Sequence, residues 1–386
     1  MTGQPRPLDP AFHAAARGRL RARAQAAGLD GLLLLRASNL AYATGLHFSA
    51  NERPMGLWLP VAGAPILMLP ALERENAGDS IPDLRLYDEF PGEVAPVLWM
   101  LSEVGRRAVG IDALEARLLD AARERTMRLD LTDHAMVERT VKQPEEIALI
   151  AEAARFADAF LRRLHAEAAG IVRAGGTERD LMADAMAHAR AALADSHAAA
   201  FDKTPMGVTA SVHSGPRAAL PHGATGGRVP QLGETLIAGI GASLGGYHAE
   251  SGATFVLGEP SDDQRAVMAA MLRCRDAAVH ACAAGEACAA VNDAALGELR
   301  AAGLGDAIRH RIGHGMGLEG HEAPWLAPGD RTPAAPGMVF SNEPGVYRPG
   351  HDGWRTIDTM ILTPSGVEVP SRFGALVPPE DRVIAI

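Results

Sequence analysis

Two histidines in a glycine-rich segment are the residues best suited to chemistry. Residues 311–324 read RIGHGMGLEGHEAP, with His314 and His321 set among glycines 313, 315, 317 and 320. Glycine lets the backbone pass close to a ligand, and histidine binds metals or transfers protons near neutral pH. The segment therefore predicts one wall of an active site. A glycine-rich loop with two hydrogen-bonded structural histidines is the alternative.

The overall composition excludes several classes of function. The chain has 386 residues, of which 47% are apolar and 22% are charged, with a formal net charge of −10. This acidic balance and the lack of a basic block argue against nucleic acid as a partner. No apolar run is long enough to cross a bilayer, so we expect no membrane partner either.

The three cysteines and the N-terminus indicate the compartment. Cys274, Cys282 and Cys288 lie in an alanine-rich stretch of helical character. An odd number of cysteines in such a stretch argues against a disulfide framework. The N-terminus also lacks the charged-then-apolar pattern of a signal peptide. We therefore expect buried thiols in a protein of the reducing cytoplasm.

The chain is too long for one ordinary core, so we expect two domains to position these residues. Over residues 1–138, helix-like and strand-like segments alternate, which predicts an α/β domain with a mixed sheet. The helix candidates are residues 11–27 and 114–125, and the strand candidates are residues 31–35, 56–60, 66–69, 108–111 and 128–131. The second and third strands flank a turn, which predicts a hairpin.

The second domain, residues 139–386, is predicted to begin with a long helix. Pro144 suits the first turn of a helix, and Glu145 and Glu146 favour its positive end. The elements predicted after it are a helix over 177–194, two strands within 234–258 joined by the turn SLGG, helices 261–283 and 287–302, and strands 338–347 and 355–362. The order is a helix pair, strands, a second helix pair and further strands. This repetition predicts that the second domain consists of two related halves.

Four sequence blocks, in this order, resemble one known family. They read VKQPEEI, SGPRAALPHG, GHGMGLEGHEAP and PGMVFSNEPGVY. The chain resembles the pita-bread family of methionine aminopeptidase, aminopeptidase P, prolidase and creatinase over residues 136–370. The preceding residues resemble the N-terminal domain of prolidases and creatinase. The resemblance implies an α/β (α+β) protein with a C-terminal pita-bread catalytic domain that hydrolyses C–N bonds.

The resemblance also implies where metal ligands should be. The peptidases of this family hold two metal ions with five side chains, in the order Asp, Asp, His, Glu and Glu. The corresponding positions here are Gly239, Glu250, His314, Glu343 and Ile357. Glycine and isoleucine side chains have no ligand atom, so we expect no two-metal centre.

The side chains that remain at these positions resemble those of creatinase, the metal-free member of the family. The candidate catalytic residues are His222, Glu250, His314, His321 and Glu343. Creatinase also has an arginine for a substrate carboxylate where this chain has Arg53. It has a second arginine where this chain has His321, which argues against creatine itself as the substrate. Arg355 and Tyr347 are further candidates for substrate binding, with an Arg355–Asp358 ion pair and simple packing as the alternatives.

Three interpretations of this set remain open. Two carboxylates that share a cleft without a metal attract a cation. The first interpretation is therefore metal-independent hydrolysis of an amide or amidine C–N bond in a small cationic substrate. The second keeps one divalent metal, zinc or manganese, on Glu250, His314 and Glu343, in an Xaa-Pro dipeptidase or amidase. The third is a non-catalytic binding module. We expect the first, and therefore no cofactor.

The partners expected from the resemblance are a small-molecule or dipeptide-like substrate and a second copy of the chain. Family members with this N-terminal domain are commonly homodimers. The loop at residues 51–53, which contains Arg53, is then expected to close over the pocket of the other copy.

Overall fold

The computed structural model describes residues 5–78 and 81–386. The chain folds into two compact units, Pro7–Arg139 and Thr140–Ile386. Each unit has its own sheet and its own buried apolar core. The predicted combination of helices and mixed sheets is therefore confirmed.

The N-terminal unit is built on a mixed sheet with the strand order β4-β3-β2-β1-β5-β6. Strands β2 and β3 form the expected antiparallel hairpin, whereas β1, β5 and β6 run parallel. A 3₁₀ turn, Ala116–Leu118, replaces the start of the helix predicted over 114–125. The strands are β1 Gly31–Leu34, β2 Gly56–Pro60, β3 Ile66–Pro70, β4 Asp83–Tyr87, β5 Ala108–Ile111 and β6 Arg128–Leu131, and the helices are α1 Pro10–Ala26, α2 Ala37–Thr44, α3 Arg74–Ala77, α4 Pro96–Val104, α5 Leu119–Arg125 and α6 His134–Arg139.

The C-terminal unit packs long helices against a largely antiparallel sheet. The central strand order is β11-β10-β12-β15-β9-β8-β7, with β16 beside β15 and β17 beside β9. Strands β13 and β14 form a separate ribbon. The helices are α7 Pro144–Arg173, α8 Glu178–His197, α9 Asp262–Ala283, α10 Cys288–Ala301 and α11 Phe373–Leu376, and the strands are β7 Gly207–Ser214, β8 Thr235–Leu244, β9 Tyr247–Leu257, β10 Gly313–Gly315, β11 Glu322–Leu326, β12 Val339–Asn342, β13 Gly345–Arg348, β14 Asp352–Arg355, β15 Ile357–Thr363, β16 Gly366–Glu368 and β17 Val383–Ile384.

Local sequence signals explain where several of these elements begin and turn. Pro144 starts α7, and Thr177 caps α8 by accepting a hydrogen bond from the amide of Asp180. The hairpin β8–β9 turns at Gly245 and Gly246, whose φ angles are 59° and 81°. Both angles lie in the left-handed region that glycine adopts at little cost.

Two predicted strands are each divided in the structure. The strand expected over 338–347 is interrupted at Glu343 and Pro344, because proline has no backbone N–H for the ladder. The strand expected over 355–362 is split after Arg355, which ends β14 before β15 begins at Ile357. Glu343 and Arg355 consequently lie at the points where the chain changes sheets.

The cysteines and the membrane prediction can be compared with the structure. Cys274, Cys282 and Cys288 are unpaired and buried in the core around α9 and α10. Among the described residues, no helix is both long and apolar enough to span a bilayer. A cytoplasmic location stays a prediction.

Candidate functional site

A row of polar residues crosses the sheet of the C-terminal unit. His314 on β10 lies opposite Ser341 on β12, and Ser341 lies opposite Thr359 on β15. The Thr359 hydroxyl bonds to the backbone N–H and C=O of Glu250 on β9. Residues directly opposite each other in antiparallel strands point to the same face. We refer to His314, Ser341, Thr359 and Glu250 as the histidine row.

The direction of this face follows from the alternation of side chains along β9. Ser251 points towards α7, where its hydroxyl donates to Asp158 Oδ1 at 2.7 Å. Glu250 and Gly252 therefore point to the opposite face. Ser341 Oγ donates to Glu250 Oε2 at 2.7 Å and fixes one oxygen of that carboxylate.

The glycines next to the histidines have a packing role. A Cβ atom at Gly313 would overlap the backbone carbonyl of Ser341, and one at Gly315 would lie 2.7 Å from the carbonyl oxygen of Glu322. Any larger residue would push β10 away from its neighbours. Close approach of strands thus accounts for these two glycines, whose φ angles are not positive.

A buried ion pair anchors the loop that carries the histidines. Lys142 Nζ lies 2.9 Å from Glu322 Oε1, and both side chains are almost completely buried. The second oxygen of Glu322 accepts the backbone N–H of Glu319 at 3.2 Å. The segment between His314 and His321 is therefore tied to Lys142, two residues before α7.

One nitrogen of His314 is aimed at two carboxylates. Nδ1 lies 3.1 Å from the carbonyl oxygen of Gly315, so we assign the ring proton to Nδ1. Nε2 is buried and has no hydrogen-bond partner within residues 5–78 and 81–386. It lies 3.4 Å from Glu343 Oε1 and 3.8 Å from Glu250 Oε2, without the alignment that a hydrogen bond requires. A buried ring nitrogen in this position is suited to a cation.

His321 completes a group of ligand atoms. Its ring stacks on that of His314, with centroids 3.7 Å apart and planes inclined by 24°. Its Nε2 lies 3.9 Å from Glu250 Oε1. One ligand atom from each of Glu250, His314 and His321 lies within 4.8 Å of the others. Imidazole nitrogens with a carboxylate oxygen form a donor set typical of zinc and other transition metals.

The protonation preferences of this group differ between its members. Burial raises the pKa of Glu250, and the charge of Glu343 raises it further. Burial opposes ionisation of Glu343, but His314, His310 and Arg355 outweigh it and lower the pKa of Glu343. Burial disfavours the His314 cation, but the two carboxylates outweigh it and raise the pKa of His314. The cluster therefore favours a positive charge at the position of His314 Nε2.

A second row, beside the first, contains no ligand atoms. Gly239 on β8 lies opposite Gly252 on β9, which lies opposite Ile357 on β15. A Cβ atom at Gly239 would lie 2.6 Å from Arg355 Nη2 and 3.3 Å from Ile357 Cδ1. A guanidinium and an alkyl group therefore fill the space in front of the glycines. We refer to Gly239, Gly252 and Ile357 as the glycine row.

The other predicted site residues lie at varying distances from this centre. His222 is exposed, and its charge acts on His310 and His321. Tyr347 is buried, its hydroxyl lies 2.9 Å from His310 Nε2, and burial raises the pKa of Tyr347 to about 12. Their catalytic and binding roles stay predictions.

Two arginine predictions have different outcomes. The alternative Arg355–Asp358 ion pair is wrong, because Asp358 lies 3.7 Å from Arg275 instead. Arg53 belongs to the N-terminal unit, where it pairs with Glu89 at 3.0 Å and with Glu52. Its role in binding a carboxylate stays a prediction.

Sequence reasoning missed Ser341, Thr359 and His310 as members of the site. Ser341 lies two residues before Glu343, so strand alternation alone places both on one face. Thr359 could not be found in this way, because its position depends on the register between β15 and β9. His310 lies just before the glycine-rich segment and was passed over.

Comparisons with known proteins were made for both units. Residues 148–364 match the model of metallopeptidase family M24, and residues 17–141 match that of the creatinase/prolidase N-terminal domain. "Probable dipeptidase PepE" of Mycobacterium tuberculosis is 35% identical over 351 residues, covering 88% of this chain and 89% of that protein. "Xaa-Pro dipeptidase" of Lactobacillus delbrueckii subsp. lactis is 28% identical, covering 88% of this chain and 92% of that protein.

A solved structure agrees with these matches. Dipeptidase PepE from Mycobacterium ulcerans superposes with a TM-score of 0.83 at 29% identity, covering 98% of this chain and all of that one. The predicted resemblance and the pita-bread fold class are thus confirmed.

The expectation of a centre without a cofactor is wrong. The matched family is one of metallopeptidases, and Glu250, His314 and His321 present a group of ligand atoms that suits a metal ion. The two absent ligands argued only against a two-metal centre, but the metal-free interpretation was preferred to the one-metal alternative. Three protein ligands are sufficient for a catalytic metal, provided that one coordination position stays open.

Proposed function

Because the chain belongs to metallopeptidase family M24, we propose that it hydrolyses the peptide C–N bond of dipeptides, using one divalent metal ion. The ligands are Glu250, His314 and His321, each of which offers a ligand atom within 4.8 Å of the others. The names of the relatives, dipeptidase and Xaa-Pro dipeptidase, support an Xaa-Pro dipeptide as the substrate.

The observation that carries this proposal is the environment of His314 Nε2. A buried nitrogen without a hydrogen-bond partner is costly, and this one points at the oxygens of Glu343 and Glu250. The Nδ1 contact with Gly315 leaves the Nε2 lone pair available. Metal-binding histidines commonly donate their other ring N–H in this manner.

A divalent metal held here would act as a Lewis acid on the peptide carbonyl and would lower the pKa of a water molecule. The remaining work belongs to side chains. Ser341 keeps Glu250 Oε2 oriented by donating a hydrogen bond to it from the hydroxyl group. His314, His310 and Arg355 keep Glu343 ionised, so that its carboxylate is available to accept a proton from water.

Proton transfer to the leaving nitrogen completes the reaction. The water oxygen bonds to the carbonyl carbon, and Glu343 takes one water proton and later releases it to solvent. The C–N bond breaks, and the leaving nitrogen receives a proton from cationic His222, which regains one from solvent. We assign delivery of this proton to His222, which is exposed at the position where its charge acts on His321. Histidine is the side chain most often used for such transfers.

A second candidate function is a binding module without catalysis. The glycine row favours it, because Gly239 and Ile357 offer no ligand atoms at two positions where the family resemblance implies them. In that case the protein would bind a metal or a dipeptide but would not release amino acids.

The experiment that tests the proposal combines metal removal with a substrate panel. The protein is treated with a chelator, reloaded with manganese or zinc, and incubated with methionyl-proline and methionyl-alanine. We expect release of proline only after reloading, with methionyl-proline as the better substrate. His314→Ala should lower kcat/KM by at least about 10³-fold, since a metal contributes several kcal/mol to catalysis.

His188→Ala is the matched control, because His188 is exposed on α8 and is outside the site. It should bind metal and hydrolyse the dipeptide like the parent. Hydrolysis that survives chelation, or that persists in His314→Ala, would contradict the proposal. Metal binding without any hydrolysis would support the binding module instead. Dimer formation stays a prediction, to be checked by the mass in solution.

A further inference from the structure

Arg355 is a buried cation next to the proposed metal ligands. It is the last residue of β14, and its side chain lies over the glycine row, with Nη2 in front of Gly239. Only 8% of the residue is exposed. Its backbone N–H donates to Thr254 Oγ1, and its carbonyl accepts the hydroxyl proton of Thr254, both at 2.9 Å. These bonds fix the start of the side chain on the same face of β9 as Glu250.

The guanidinium has more donors than partners. Nη1 donates to the carbonyl oxygen of Pro221 at 3.1 Å, whereas Nε is buried and has no hydrogen-bond partner in the part of the chain that the structure describes. Tyr347 lies near the guanidinium, but its hydroxyl also lies 2.9 Å from His310 Nε2. Among the described residues, no carboxylate forms an ion pair with Arg355. A buried guanidinium of this kind is set up to receive an acceptor that arrives from outside.

The charge balance of the site indicates the sign of that acceptor. Arg355 acts electrostatically on both Glu250 and Glu343. Once a divalent metal is bound, the two carboxylates offset its charge, and the guanidinium is left without a counter-ion. A buried charge without a partner is strongly unfavourable. The loaded site therefore favours a ligand with a negatively charged oxygen.

We propose, on the basis of the proposed function, that Arg355 serves as the second positive group of a one-metal centre and stabilises the oxygen that becomes negative during hydrolysis. The scissile carbonyl oxygen gains charge as the water oxygen bonds to its carbon, and Arg355 Nε–H and Nη2–H donate to it. A preorganised donor in a site shielded from water is most effective at that point of the reaction. The same property disfavours cationic substrates.

The test separates catalysis from structural support. Arg355→Met keeps much of the side-chain volume and removes the charge and all donors. We expect kcat to fall about 10²- to 10³-fold while KM changes little, because the interaction forms mainly in the transition state. In the metal-loaded protein the free energy of unfolding should be equal to that of the parent or higher, since the two carboxylates then offset the metal charge and an unpaired buried charge is removed.

A matched control is Arg382→Met, because Arg382 is also buried but donates to the backbone carbonyls of Val377 and Gly374. It should lower the free energy of unfolding and leave kcat close to that of the parent. An unchanged kcat in Arg355→Met would overturn the inference. So would a loss of kcat that appears together with a loss of stability.

Binding of a charged analogue keeps the test independent of turnover. The probe is a phosphinic analogue of methionyl-proline, which carries a negative oxygen at the scissile position, added to the metal-loaded protein. We expect Arg355→Met to bind it at least about 10²-fold more weakly than the parent. Equal affinities would overturn the inference, even if the parent hydrolyses no dipeptide.

Discussion

The histidine row and the glycine row lie side by side on one face of the same sheet, but they hold opposite kinds of groups. The histidine row brings Glu250 close to Nε2 of His314, which has no hydrogen-bond partner among the described residues. These atoms are suited to bind a cation from solution. The glycine row has no ligand atom, and the guanidinium of Arg355 covers it. In the proposed function, positive charge at this site would be divided between a metal ion on the histidine row and the guanidinium of Arg355.

In the proposed function, this difference would let the chain hold one metal ion although Gly239 and Ile357 offer no ligand atoms. Gly239 and Gly252 leave room that Ile357 and Arg355 occupy, and these two side chains seal one half of the site. The other half presents the ligand atoms of half-buried Glu250, buried His314 and exposed His321. Fold alone would not reveal this, because one fold can support many sites.

The largest expected change in the free energy of unfolding comes from removing the ion pair that anchors the loop of the histidine row. Lys142→Met leaves the Glu322 carboxylate buried without its cation, and loss of one partner of a buried pair costs about 3–5 kcal/mol. Urea unfolding of the metal-free protein measures this change. The double variant Lys142→Met/Glu322→Gln should recover part of the loss. If the single variant unfolds like the parent, the ion pair does not hold the loop.

A smaller effect tests the packing of the glycine row. In Gly252→Ala, the new methyl carbon would lie 2.7 Å from Ile357 Cδ1 and 3.0 Å from the carbonyl oxygen of Ala238. Overpacking of this kind lowers the free energy of unfolding by about 1–3 kcal/mol. Gly207→Ala is the control, since its methyl carbon would come no closer than 4.0 Å to Ser243 Oγ. Ile357→Ala opens a cavity and lowers stability by itself, but the double variant should lose less free energy of unfolding than the sum of the two single losses. Strictly additive losses would mean that the two residues are not in competition.

The smallest expected effect is the pH dependence of metal binding to the histidine row. The pKa of His314 is raised, so its proton must leave before metal binds, and affinity should fall as pH drops through that raised pKa. The slope is about tenfold per pH unit for each proton displaced. The stability of the metal-free protein should change in the opposite direction. Its free energy of unfolding should fall as pH rises through the same pKa, because the stability contributed by protonated His314 is then lost. Calorimetry between about pH 5 and pH 8 measures the first trend and urea unfolding the second. Metal affinity that is constant over this range would rule out His314 as a ligand.

Much of the fold could be predicted from local sequence. The caps of α7 and α8 and the turn of the β8–β9 hairpin have short-range signals, and these elements form as expected. The interruptions at Glu343 and Arg355 were missed, although residues 341–345 (Ser, Asn, Glu, Pro and Gly) include no large apolar side chain. A proline after Glu343 was the available signal for the first break.

The site was predictable only in part. The resemblance identified Glu250, His314 and Glu343 as a group, and the structure places their ligand atoms close together. The side chains that fill the glycine row depend on the register of β8, β9 and β15, which are distant in sequence. The position of the Arg355 guanidinium over Gly239 could not be deduced without knowing that register. The number of absent ligands therefore predicted the wrong cofactor state.

The most direct test of the divided site is the number of metal ions bound per chain. The protein is stripped with a chelator, equilibrated with excess zinc or manganese, freed of unbound ions and analysed for metal content. The account predicts one ion per chain in the parent and none in His314→Ala, because the histidine row holds the cation and Arg355 occupies the neighbouring half. Two tightly bound ions per chain, or none in the parent, would contradict it.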